Sequence, residues 1–349
     1  MSTAAILSFR LGGLDGVSIV ADQWRRHLEA SRFAVISVAG EGVADRHIGG
    51  LAIGADTPPR RADLVEALRD VDLVVVENVL TIPMNLPASL MVAEALRGRP
   101  AIIHHHDPPW QRSRYRHITS LPIADPAWRH VTINRLTERQ FRDRGVAATT
   151  IYNGVDVDRA EGDGHEIRGR LEVGDRPLLL HPVRPVARKN VAGAIRLAEQ
   201  TGGVYWLTGP AEEGYQPVLD RLLARTTAPW RREHVEEAEL ADAYAAADAV
   251  VFPSTWEGFG LPPLEAAVFG RPVVVGPYPV AEELRSFGFR WLRRERPDDL
   301  AAALAEPSSL AADLAVNKVI VCRHFSLDVA RQAVQSLLDD MGWLPQLAG

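Results

Sequence analysis

Two glutamates, Glu257 and Glu265, bracket a turn built from glycine, proline and aromatic residues: Pro253-Ser254-Thr255-Trp256-Glu257-Gly258-Phe259-Gly260-Leu261-Pro262-Pro263-Leu264-Glu265. The apolar run Val250–Phe252 precedes it as a strand, and Pro262 and Pro263 suit the start of a helix. Glu257 is therefore expected at the tip of a strand and Glu265 in the first turn of a helix. Gly258 and Gly260 let backbone amides approach a ligand closely, and free amides at a helix start favour an anion such as a diphosphate. A second group, Arg184, Arg188 and Lys189, lies in Val183–Asn190, between another expected strand and helix. A planar guanidinium fork and a compact ammonium suit phosphate oxygens in different ways. The chain holds 39 Lys+Arg, and only Lys189 and Lys318 are lysine. A lysine kept at 189 therefore points to a need for a point charge there. The sequence leaves the direction of Arg188 open.

His104-His105-His106-Asp107 ends a further strand. Alternation puts His104 and His106 on one face and His105 on the other. With Cys322 the only cysteine and no second histidine group to complete a shell, no metal is expected. Asp70-x-Asp72 and Asp156-x-Asp158 are assigned to no metal either. Trp110-Gln111-Arg112-Ser113-Arg114-Tyr115-Arg116 reads as a mobile surface loop, with recognition of an anionic acceptor by stacking and by arginine pairing as the functional alternative. Leu11-Gly12-Gly13-Leu14-Asp15-Gly16 is a glycine-rich turn between strand and helix.

Short apolar runs alternate with helical patterns. Strands are expected at Ala4–Phe9, Phe33–Ala39, Leu73–Val76, Ala101–His106, His130–Asn134, Thr149–Tyr152, Pro177–Val183, Val204–Leu207, Ala249–Phe252 and Pro272–Val275. Helices fall between them, one capped by Asn190, and a final amphipathic helix covers Leu327–Leu338. Strands alternating with helices imply parallel sheets covered on both faces. The fold class is α/β, with two doubly wound domains and a cleft between them. Boundaries are expected at 1–155, a Gly-rich charged linker at 156–175, a second domain at 176–325, and a C-terminal helix at 326–349 packing back towards the first domain.

The 349 residues carry 46% hydrophobic and 24% charged side chains, an ordinary globular composition. Residues 1–155 hold 18 Arg against 16 acids, and 156–349 hold 21 Lys+Arg against 29 acids. The formal net charge of −6 excludes a global basic surface for DNA, and RNA rests only on the Arg112–Arg116 run. The longest stretch without charge, Asn78–Ala93, contains two prolines and cannot span a bilayer, so membrane association is at most peripheral. The N-terminus lacks the pattern of a signal peptide, and a cytoplasmic protein is expected. No Gly-x-Gly-x-x-Gly fingerprint supports a nicotinamide cofactor.

The Glu257–Glu265 stretch resembles the signature of the family 4 retaining glycosyltransferases, which have the GT-B fold of two Rossmann-like domains facing a central cleft. Arg184 and Lys189 match that family's diphosphate-holding pair, with Val183 where a glycine is usual. Thr150–Asp156, Thr208-Gly209-Pro210, Ala243–Asp248 and Tyr278–Glu283 resemble further family elements, so the similarity covers most of the chain. The resemblance implies a nucleotide-sugar donor, UDP- or GDP-linked, with a small-molecule or glycan hydroxyl as acceptor, and no cofactor or metal. It places Glu257 at the donor sugar and Glu265 at the ribose hydroxyls. Gly258, Phe259, Gly260 and Leu261 would contact sugar and phosphate through their backbone. Gly12 and Gly13 would lie beside the donor phosphates, and His106 near the donor sugar. Asp107, Trp110 and Arg112 fall on the acceptor side. A nucleotide-sugar epimerase of the same fold and a non-catalytic nucleotide-sugar binder are the rival classes.

Overall fold

The structure, a computed structural model, describes residues 2–13 and 15–346. Leu14 of the glycine-rich turn and residues 347–349 of the C-terminal stretch lie outside these. The chain forms two compact units, Met1–Gly154 with Leu327–Gly349 and Val155–Ser326.

Unit 1 contains β1 (Thr3–Leu11), β2 (Ala34–Gly42), β3 (Arg46–His47), β4 (Leu73–Glu77), β5 (Ala101–His105), β6 (Trp128–Thr132) and β7 (Ala148–Thr150). They form one parallel sheet in the order β3-β2-β1-β4-β5-β6-β7. Alternation along each strand feeds two cores. Leu7, Val74, Val76 and Ile103 face one layer, while Ile6, Val75, Ile102 and Val131 face the other. The helix Leu327–Asp340 supplies Val334 and Leu338 to the second layer. It thus completes the cover of the first sheet after the chain has passed through unit 2.

Unit 2 contains β8 (Leu178–His181), β9 (Val204–Leu207), β10 (Trp230–Arg232), β11 (Ala249–Phe252), β12 (Val273–Val275) and β13 (Leu292–Arg293), all parallel in the order β10-β9-β8-β11-β12-β13. The order reverses between β1 and β4 in unit 1 and between β8 and β11 in unit 2. Ligands of open α/β sheets bind outside the carboxyl ends of the strands at such reversals.

The expected linker at 156–175 is not one. It carries the helix His165–Arg170 and buries Ile167, Leu171 and Val173. A Cβ at Gly162 or Gly164 would meet the backbone of Ala241 or Ala246 at 2.2 Å. These glycines serve close packing and not flexibility. The short strands β3, β10 and β13, read as RH, WRR and LR, had no apolar run to reveal them.

Candidate active site

In unit 2, two loops leave the neighbouring strands β8 and β11 and are laced together. The amide of Thr255 donates to the Arg188 carbonyl at 2.8 Å, and Asn190 Nδ2 donates to the Pro253 carbonyl at 3.0 Å. Asn190 also caps the helix Val191–Thr201, its side chain accepting from Gly193 N. The lacing brings the two sequence motifs onto one carboxylate. Glu257, 5% exposed, meets Lys189 Nζ at 2.8 Å and Arg188 Nη1 at 2.5 Å. Burial pushes the Glu257 carboxyl upward, but Lys189 and Arg188 outweigh it and hold it below the usual carboxylate range. Burial lowers Lys189, Glu257 opposes this, and Arg188 and Arg184 add to the lowering. The Lys189 ammonium also lies 5.1 Å from the Phe252 ring centre.

Arg184 sits apart from this cluster. It pairs with Glu212 at 2.7 Å in a solvent-accessible ion pair, so its fork is available for exchange with a stronger anion. Arg188, whose direction the sequence left open, faces Glu257.

Gly260 adopts φ +100°, and a Cβ there would come within 2.8 Å of the Tyr278 hydroxyl. Glycine is required for both reasons. The helix Leu261–Val268 follows, with both prolines at its start, and Phe259 is buried. Glu265 is the fifth helical residue, so it lies one position beyond the first turn where it was expected. Tyr244 Oη donates to Glu265 Oε2 at 2.6 Å. Burial raises the Glu265 carboxyl above its ordinary value, with the Tyr244 bond working against it.

In unit 1, Gly12 adopts φ +73°, and a Cβ on it would strike Val43 at 2.7 Å. A Cβ on Gly13 would reach Asp15 Oδ2 at 3.0 Å. Asp15 caps the next helix by accepting from Val17 N and Ser18 N. Beside this turn, Glu77 ends β4 in register with His104 of β5. Glu77 is fully buried and takes His104 Nδ1 at 2.9 Å and His106 Nε2 at 2.9 Å. Burial pushes the Glu77 carboxyl upward, yet the two imidazoles prevail and hold it at about 2. His105 faces the other side, bonded to Thr81 at 2.7 Å and His130 at 2.9 Å. The sequence treatment of the histidines missed Glu77. The signal was present as the one acidic residue closing an apolar strand that must pair with the histidine strand.

The loop after His106 is docked and not free. Trp110 Nε1 donates to Gln140 at 2.7 Å, Arg144 covers its ring at 3.8 Å, and Arg112 pairs with Asp107. Its backbone forms two short 3-10 turns, Pro109–Gln111 and Ser113–Tyr115. Asp72 is occupied by the amide of Thr3 at 2.8 Å, and Asp156 by the amide of Asp158 at 3.1 Å.

A family model described as Glycosyl transferases group 1 matches residues 196–307, a span that includes Glu257 and Glu265. A mannosylglucosylglycerate synthase of Petrotoga mobilis is 27% identical over 64% of this chain and 63% of that protein. The enzyme of the same name from Thermotoga maritima is 24% identical over 93% of this chain and 96% of its own. This chain is a glycosyltransferase. The glycosyltransferase has the GT-B fold, and its architecture is shared with Anabaena Alr3699/HepE, solved in complex with UDP and glucose. That likeness has a TM-score of 0.79 at 18% identity and covers 97% of this chain and 100% of that one. The lipopolysaccharide glycosyltransferase WaaG aligns with a TM-score of 0.71 at 14% identity over 95% of this chain and 99% of its own. Among the described residues of the glycosyltransferase, no helix is long and apolar enough to cross a membrane.

Proposed function

We propose that this glycosyltransferase moves a hexosyl group from a UDP- or GDP-sugar to an acceptor hydroxyl with retention of configuration, and without a metal at the diphosphate. The observation that carries this reading is the carboxylate of Glu257 held between Lys189 and Arg188 at the β8/β11 reversal. A fixed negative charge beside two cations suits a ligand that is neutral and hydroxyl-rich at one end and anionic at the other. The sugar hydroxyls take Glu257, and the diphosphate takes Lys189 and the exchangeable fork of Arg184. Arg188 keeps Glu257 compensated when Lys189 turns to the phosphate. Glu265, with its Tyr244 partner, serves the ribose hydroxyls, and the backbone of Gly258–Leu261 serves sugar and phosphate.

The acceptor hydroxyl attacks from the face that the diphosphate leaves. The departing phosphate oxygen takes the acceptor proton, so no protein base is obligatory. Arg184 and Lys189 stabilise the charge that develops on the leaving group. From unit 1, the family resemblance assigns Gly12 and Gly13 to the phosphates, His106 to the donor sugar, and Asp107, Trp110 and Arg112 to the acceptor. Relatives named as mannosylglucosylglycerate synthases and a structural neighbour solved with UDP and glucose support a nucleotide-diphosphate hexose as donor.

A thermal-shift screen of UDP, GDP, ADP and their sugar conjugates tests the donor. Ligand at about 100 times its Kd stabilises by roughly 2.7 kcal/mol. The anomeric configuration of the product, read by NMR, tests retention. Turnover of donor alone to an epimer would replace this reading with the epimerase one.

A further inference from the structure

Of the cluster Glu77, His104 and His106, the family resemblance gives a role to His106 alone and none to Glu77 or His104. A carboxylate only accepts hydrogen bonds, so each imidazole atom facing Glu77 carries a proton. That puts one proton on His104 Nδ1 and one on His106 Nε2. The other nitrogen of His104, Nε2, is buried and has no hydrogen-bond partner among the described residues. The ring packs against Trp24, with centroids 4.8 Å apart. A proton on Nε2 would be an orphaned buried donor, so His104 is held as the neutral Nδ1–H form.

The same donor atoms of Glu77, His104 and His106 lie within 4.8 Å of one another, which invites a divalent cation. A cation bound at His104 Nδ1 would drive the proton to Nε2, where nothing accepts it. Metal-ligating histidines normally donate their second N–H to a partner, and His104 has none. The hydrogen-bonded arrangement therefore wins over the metal one. Two further groups fix the strand end: the Asn78 side-chain oxygen accepts from the amides of His106 and Asp107 at 3.3 and 3.4 Å.

We propose that Glu77 is a positioning residue: it fixes the proton of His106 on Nε2 and leaves Nδ1 as a hydrogen-bond acceptor for a hydroxyl of the bound sugar. The hydroxyl half of this rests on the placement of His106 at the donor sugar, whereas the tautomer half does not. Glu77 acts through His106 and has no contact with substrate.

The experiment is 15N-detected histidine NMR on the full-length protein, without ligand and with UDP-glucose or GDP-mannose. The expected result is a single Nε2–H form for His106 and a single Nδ1–H form for His104. Both imidazoles share Glu77 Oε2, so Glu77→Leu removes the one acceptor that holds the His106 proton on Nε2. Loss of the single His106 Nε2–H signature should accompany a fall in kcat of about tenfold, with UDP affinity unchanged. An Nδ1–H form of His106 in the wild-type protein, or an unchanged single tautomer in folded Glu77→Leu, overturns the proposal. So does one equivalent of zinc retained after dialysis. The wild-type spectrum decides the tautomer even where the variant does not fold. Failure to transfer sugar at all, with the expected tautomers present, would sink the transferase reading and leave the role of Glu77 standing.

Discussion

At the strand ends of unit 1 a lone carboxylate, Glu77, is held by imidazoles, whereas at those of unit 2 Glu257 is held by an ammonium and a guanidinium. Both sit beside a reversal of strand order in the same kind of parallel sheet. One fold thus tolerates a buried carboxylate in two ways. Unit 2 uses an ammonium and a guanidinium, charges that a diphosphate can borrow. Unit 1 uses groups whose protons are assigned by geometry, which favours orienting hydroxyls over neutralising anions.

Acid should separate the two regions most strongly. In unit 1, burial lowers His27 and His130 to about 4, and it lowers His104 and His105 as well. In unit 2, burial lowers His181 to about 3. These groups bind protons more readily unfolded than folded below their ordinary value of 6.5. Stability is therefore complete above that pH and falls as pH drops, by roughly 1.4 kcal/mol per pH unit for each such histidine. For His27 and His130 the loss levels off near pH 4, where the folded state takes the proton too. Glu77 erodes only below its ordinary 4.5, on the way to about 2. Hydrogen exchange between pH 6.5 and 4 should show unit 1 losing protection first. Equal loss in both units would break the contrast.

Lys189→Ala comes next, with an expected loss of about 10- to 100-fold in kcat/KM, the worth of one charged hydrogen bond. Lys189→Arg should recover only part of it, because a planar fork cannot take the place of a compact ammonium between Glu257 and Phe252. Full activity in Lys189→Ala would remove the residue from the site. A smaller effect is expected for Gly164→Ala, at about 1–3 kcal/mol of overpacking against Ala246, measured as a loss of Tm with the fold retained. An unchanged Tm would restore the linker reading of 156–175. Glu265→Ala should weaken nucleotide binding about tenfold by removing the acceptor for the ribose hydroxyls, while Glu257→Ala acts mainly on turnover. Isothermal titration with the nucleotide beside steady-state kinetics separates them, and equal losses of affinity would merge the two roles. Lys318→Arg should be silent within about 0.5 kcal/mol, a control for the scarcity of lysine.

The unit 2 site was legible because its residues lie in two short contiguous motifs, each closing a strand and opening a helix. Glu257, Glu265 and Lys189 could be found from neighbours a few positions away. Arg188 was ambiguous because one residue beside a motif has no periodicity to orient it. The unit 1 cluster was hidden for the opposite reason. Glu77 and His104 are 27 positions apart, and only the pairing of β4 with β5 brings them together. Strands with an apolar core were readable to within a few residues. The edge strands and the misread linker were not, since WRR gives no hydrophobic signal and a glycine needed for packing looks in a sequence like one needed for freedom.

The path of the chain has a consequence for how this protein is made. Unit 2 is an insertion whose ends are clipped to each other, with the amide of Val155 donating to the Phe325 carbonyl at 2.8 Å. During synthesis it holds every residue it needs before 327–340 emerge. The first sheet, though made earlier, must wait with one apolar layer covered only in part, by Val20, Trp24 and Leu28, until Val334 and Leu338 arrive. The order of birth of the two units is thus the reverse of their order of completion, and the nascent chain is most exposed to aggregation on the half that was translated first.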